Sequence, residues 1–380
     1  MERLNIQPEL FRWALERCGQ SESTMRDRFP KITEWIQGEM FPTVKQVEKF
    51  ATATHTPFGY FFLKEPPEDR LPIPDFRTVK DQPVQPSPNL LDTVQSMQAR
   101  QEWMRDFVIE EGQLPFPFVN SVTLKMNPKD VAMEMRKNLD LSDGWANKVS
   151  TWTEALKLLR GAIESLGVMI VVNGVVGNNT HRSLDVEEFR GFALVDEYAP
   201  MIFVNGKDSK SAQMFTFIHE LAHLWLGLEG VSNFDKLQPI DIDVEIFCNH
   251  VAAEFLIPSD EFNMVLRENK GRMDFELFAI LGRRFKVSPL VAARRALDLK
   301  YIDKDRFFAF YNDYPKDTDK RKKKKSGGNF WNTQIVRVGV LFGSAVAQAT
   351  LEGRLLYRDA YRLTGLKGKT FDNYLTQIGF

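Results

Sequence analysis

The chain has 380 residues, 43% apolar and 27% charged, with a net charge of −1. That length exceeds what one hydrophobic core usually organises, so two or three domains of ordinary globular composition are expected. The start MERLNIQPELFRW has no apolar centre, and the apolar run 335–350 is broken by Arg337 and Gln348, so neither a secretory signal nor a membrane span is expected. Cys18 and Cys248 read as reduced, small core residues of a cytoplasmic protein.

Residues 1–70 predict four short helices, Pro8 to Cys18, Glu22 to Phe29, Ile32 to Gln37 and Val44 to Thr54, separated by Gly and Pro. The phrase Trp35-Ile36-Gln37-Gly38, with Pro42-Thr43 and then Val47, Phe50, Ala51, Pro57 and Phe61-Phe62, resembles the later part of phage-repressor-like (Xre-type) helix-turn-helix domains. Met25 to Trp35 is shorter than the second helix, turn and recognition helix of that family need, and Pro30 interrupts it. The segment carries ten basic and eleven acidic side chains, with Glu34 and Glu39 where phosphate or base contacts are expected. This balance favours holding a protein partner over binding duplex DNA.

Residues 71–88 form a Pro-rich connector, followed by a helical pattern from Leu90 to Glu111 and a stretch, 112–150, with no assigned role. A second domain with helical extensions is expected over 89–313. Within it the order is helix (Ala155 to Leu166), strand (Val168 to Val172), loop, strand (Phe189 to Val195), strand (Met201 to Asn205), helix. The fold class is therefore α+β: a mostly helical, multidomain chain with a small sheet beside the helix that follows Asn205. Ile202-Phe203-Val204 presents either a sheet edge for an extended substrate or an ordinary core strand.

That helix, Ala212 to Leu228, contains His219-Glu220-Leu221-Ala222-His223. Positions i and i+4 share a helix face, so His219 and His223 can hold one metal ion with Glu220 beside it as a base. Two carboxylates compete to be the third ligand, Glu245 and Glu254, in Glu245-Ile-Phe-Cys248-Asn249-His250-Val-Ala252-Ala253-Glu254-Phe-Leu256-Ile-Pro258. Glu245 is preferred because it shares a face with Asn249, which can orient a metal-bound histidine, whereas Glu254 lies half a rotation away. Two imidazoles and a carboxylate leave the fourth tetrahedral position open, as a catalytic zinc requires. His181, Arg182, Tyr198 and His250 are the candidates to stabilise an oxyanion, against surface roles for each.

These two motifs, preceded by the extended run ending in Val204-Asn205, resemble the ImmA/IrrE family of bacterial and phage metallopeptidases. The resemblance covers about residues 150–300. It implies that His219, His223 and Glu245 hold zinc, with manganese as the alternative, and that Glu220 is the base. It also implies a protein substrate: members cut a repressor of the helix-turn-helix type, and some are encoded beside toxin genes.

Downstream, Arg283-Arg284-Phe285-Lys286-Val287-Ser288-Pro289, followed by Arg294 and Arg295, resembles a helix-turn-helix that in several members packs under the peptidase core. Its basic residues suit either a solvated face or nucleic acid. A basic flexible linker (314–329, with Lys322 to Lys325) leads to a carboxy-terminal helical module, 330–380, predicted as three helices. The expected function is a cytoplasmic zinc endopeptidase for one regulatory protein. The alternative is an antitoxin or transcriptional regulator that binds a toxin or DNA and keeps a silent metal site.

Overall fold

The computed structural model describes residues 3–67, 71–74, 78–79, 82–83, 86–232, 243–314 and 329–380. The Lys-rich run 316–325 lies outside these, as does much of the Pro-rich connector. The chain divides into two compact units, residues 1–72 with 78–95, and residues 73–77 with 96–380.

In the first unit α1 (Pro8–Arg17), α2 (Glu22–Arg26), α3 (Ile32–Gln37) and α4 (Val44–Thr54) surround an aromatic core of Phe11, Phe29, Trp35, Phe50 and Phe61. Proline at the first turn starts α1, Ser21 caps α2 by accepting from the Thr24 N–H, and the Thr43 N–H donates to Gln46 Oε1 (2.8 Å) at the start of α4. α2 spans only to Arg26, three residues short of the expected Phe29, although Asp27 keeps helical angles and the Phe29 N–H donates to the Met25 carbonyl (2.8 Å); Pro30 bars any continuation.

Helix α5 (Pro88–Glu110) starts in the first unit, and the second unit holds its residues from 96 on, α6 (Pro128–Asn138), α7 (Trp152–Ser165) and the main sheet. A short hairpin, β1 (Thr78–Val79) with β2 (Gln82–Pro83), precedes α5. The strands that follow are β3 (Met169–Asn173), a hairpin of β4 (Val175–Val176) with β5 (Asn179–Ser183), β6 (Gly191–Leu194), β7 (Met201–Asn205) and β8 (Gly230–Ser232). The main sheet has the order β3-β7-β6-β8, with β3 parallel to β7 and the other pairs antiparallel. β7 is fully buried and paired on both sides, so it is a core strand and not the edge that an extended substrate could join.

α8 (Lys210–Leu226) leaves β7 after four residues, capped by Ser209 and closed by Gly227 in the left-handed region (φ 69°). α9 (Asp243–Leu256) packs on α8 and α6. Then come α10 (Ser259–Glu268), α11 (Asp274–Phe285), α12 (Pro289–Asp298) and α13 (Lys304–Asp313). α11 and α12 meet at Lys286-Val287-Ser288, as the sequence predicts, with Ser288 capping α12.

Residues 330–380 pack into this same unit as four helices, α14 (Phe330–Val338), α15 (Val340–Leu351), α16 (Tyr357–Thr364) and α17 (Lys369–Gln377). The expected first helix is split at Gly339 (φ 89°), where a β-carbon would lie 2.6 Å from the Ile170 carbonyl oxygen of β3. The small residues of α15 serve intramolecular packing: a β-carbon at Gly343 would collide with the Tyr374 hydroxyl. Among the described residues no single helix is long and apolar enough to cross a membrane; α14 and α15 reach that length only together, and they meet at 85°.

Candidate metal centre

The sequence of α8 turns one face, His219 and His223, toward α9, and the two Nε2 atoms lie 3.0 Å apart. Glu245, in the first turn of α9, reaches both: Oε2 is 3.2 Å from His219 Nε2 and Oε1 is 3.1 Å from His223 Nε2. Donors bound to one tetrahedral ion at about 2.0–2.1 Å stand about 3.3 Å from one another, so this spacing fits a single zinc-sized cation. His219 Nδ1 is 3.1 Å from Asn249 Oδ1. An amide oxygen only accepts, so Nδ1 carries the proton and the Nε2 lone pair is left to face the other donors.

Glu220, His219 and His223 are fully buried and Glu245 is 1% exposed. Burial pushes the His219 pKa down against the opposing pull of Glu245, which keeps the imidazole in its neutral, metal-binding form. Burial also works against the charge of Glu245, but the His219 and His223 imidazoles outweigh it and hold that carboxyl well below the usual range. Glu245 therefore stays a carboxylate beside the neutral imidazole of His219, in a low-dielectric site that His223 completes.

The competing carboxylate, Glu254, is engaged elsewhere. Its Oε2 pairs with the Arg295 guanidinium of α12, and its Oε1 accepts from Ser259 N (2.9 Å) and Ser259 Oγ (2.8 Å). Arg295 also donates to the Ile257 carbonyl (3.1 Å), and Arg136 of α6 donates to the Glu254 and Phe255 carbonyls, closing the end of α9. Arg295 and Lys286 are therefore buried, Lys286 Nζ donates to the Arg283 carbonyl, and Arg294 pairs with Asp298. These bonds take up three of the five cations that could have offered the α11–α12 segment to nucleic acid.

Of the oxyanion candidates, His181 and Arg182 lie on the β4–β5 hairpin, with His181 exposed, and His250 is exposed on α9. Tyr198 packs against the cluster of Phe107, Val108, Ala345 and Ala349, under the Arg105 guanidinium. Two neighbours of the centre escape sequence reasoning. Gly191 of β6 lies against α8: a β-carbon there would be 2.5 Å from Thr216 Cγ2 and 3.2 Å from Glu220 Oε1. Cys248 is fully buried, and its sulfur lies within 4.8 Å of donor atoms on both His219 and His223. Burial and then the carboxylates of Glu245 and Glu220 push its thiol pKa well above the ordinary value. Only the i+3 spacing of Cys248 from Glu245 could have pointed to it.

No curated protein and no solved structure matches the chain. Residues 338–377, which take in the last residue of α14 and all of α15 to α17, match a domain of unknown function (DUF8813). Residues 163–297 match the peptidase M78 family model, the IrrE N-terminal-like domain; this supports the ImmA/IrrE family and points to a metallopeptidase.

Proposed function

We propose that the chain is a cytoplasmic zinc-dependent endopeptidase that cuts one regulatory protein of the repressor or toxin type. The observation that carries this reading is the convergence of His219 Nε2, His223 Nε2 and the Glu245 carboxylate at 3.0–3.2 Å from one another. In this reading those three groups hold zinc or manganese, and Asn249 fixes the tautomer and orientation of His219. A zinc ion held there supplies Lewis-acid polarisation of the scissile carbonyl and a more acidic water. Glu220, on the turn between the two histidines, takes the proton from the attacking water and passes it to the leaving amine.

Selection of the substrate falls to the flanking helical parts. The near-neutral balance of residues 1–70 and the short α2 and α3 support a protein partner there over duplex DNA. The second reading is a regulator or antitoxin that binds its toxin or DNA without cutting. It is favoured by one observation, the thiol of Cys248 beside the two histidines, where it could close the metal site. The test is to capture the partner with the Glu220→Gln variant, add wild-type chain with zinc or manganese, and read intact masses. A defined fragment pair formed by wild type alone supports the peptidase; an uncut complex with metal bound supports sequestration.

A further inference from the structure

We propose that Cys248 is a fourth metal donor, closing the His219, His223 and Glu245 set with a thiolate. This rests on the reading that those three residues hold a borderline divalent ion such as zinc. Cys248 stands one helical turn after Glu245 on α9 and is fully buried, facing the same two histidines. Its donor atom and those of His219 and His223 all lie within 4.8 Å of one another. Sulfur and nitrogen on one tetrahedral zinc, at about 2.3 and 2.0–2.1 Å, stand about 3.6 Å apart, so a sulfur within 4.8 Å of both histidines is near bonding range of an ion they hold.

The chemistry is a ligand exchange without oxidation or reduction. The S–H bond breaks, a sulfur–metal bond forms, and the proton leaves to solvent. A divalent cation reverses the local electrostatics that keep the free thiol protonated. Sulfur in the fourth position converts an open, catalytic geometry into a closed one. The chain then has a latent state in which Glu220 has no water to deprotonate, and cutting requires Cys248 to withdraw.

Cobalt(II) reports this directly, because thiolate coordination adds a near-ultraviolet sulfur-to-metal charge-transfer band to the visible bands of the ion. The full chain, stripped of metal and loaded with cobalt, is expected to bind one ion and show both features. Cys248→Ala should keep the visible bands, lose the near-ultraviolet band, and bind cobalt more weakly by at least the about 10-fold that even an outer-shell partner contributes. One bound cobalt that is lost in His223→Ala, without a near-ultraviolet band in wild type, would overturn the role of Cys248 and leave the metal centre standing. No cobalt bound at all would overturn both.

Discussion

The two ends of α9 each bury a carboxylate, and the two are satisfied in opposite ways. Glu254 meets a permanent cation, Arg295, together with the N–H and hydroxyl of Ser259, and so its charge is already compensated within the chain. Glu245 meets two imidazoles, one of which, His219, is held neutral by burial. A buried anion facing lone-pair donors calls for a cation from outside, whereas a buried ion pair ties two helices together. The same residue type, nine positions apart on one helix, is thus poised for chemistry at one end and for architecture at the other.

Substitutions at the two ends of α9 and around the centre should have separate effects. The largest effect is expected from Glu220→Gln, which should lower the rate of partner cleavage by about 10²–10⁴-fold, with the metal still bound, measured by fragment formation against metal content. Next is Glu254→Gln, which leaves the Arg295 charge buried without its anion. It should cost about 3–5 kcal/mol of stability in urea denaturation without loss of metal. Asn249→Ala should weaken metal affinity by about 10–100-fold, read by competition with a chelator, because His219 loses the acceptor that orients it. Gly191→Ala should cost about 1–3 kcal/mol, since β6 cannot back away from Thr216 and the Phe203 carbonyl without disturbing the sheet.

Acid sharpens the same contrast. His219 has a depressed pKa in the folded chain, so as pH falls below the ordinary histidine value of about 6.5 the unfolded state takes up a proton that the folded state refuses. The stability of the metal-free chain should therefore be fully present above that pH and decline as pH drops through it. Glu245, also depressed, adds a second decline below the ordinary carboxylate range. Equilibrium unfolding of the metal-free chain as a function of pH checks both, and bound metal should suppress the first.

How much of this was legible in the sequence follows from the range of the contacts. The His219–His223 pair and the facing of Glu245 with Asn249 are helical periodicity, and the structure brings the four together. The turn before Ser288 is a local signal of the same kind, whereas α8 ends at Leu226, two residues before the expected Leu228, because Gly227 turns left-handed there. What periodicity does not carry is pairing between distant segments. It could not show that β7 lies between β3 and β6, that residues 175–183 fold a hairpin, or that Arg295 claims Glu254 across 41 positions. The break at Gly339 likewise depends on the carbonyl of Ile170, far away in the chain.

The most direct test is the metal content of four purified chains: wild type, His223→Ala, Glu245→Gln and Glu254→Gln. One ion per chain is expected in wild type and Glu254→Gln, and none in the other two. Metal retained by Glu245→Gln but lost from Glu254→Gln would contradict the assignment of the two ends of α9 and, with it, the metal centre described here.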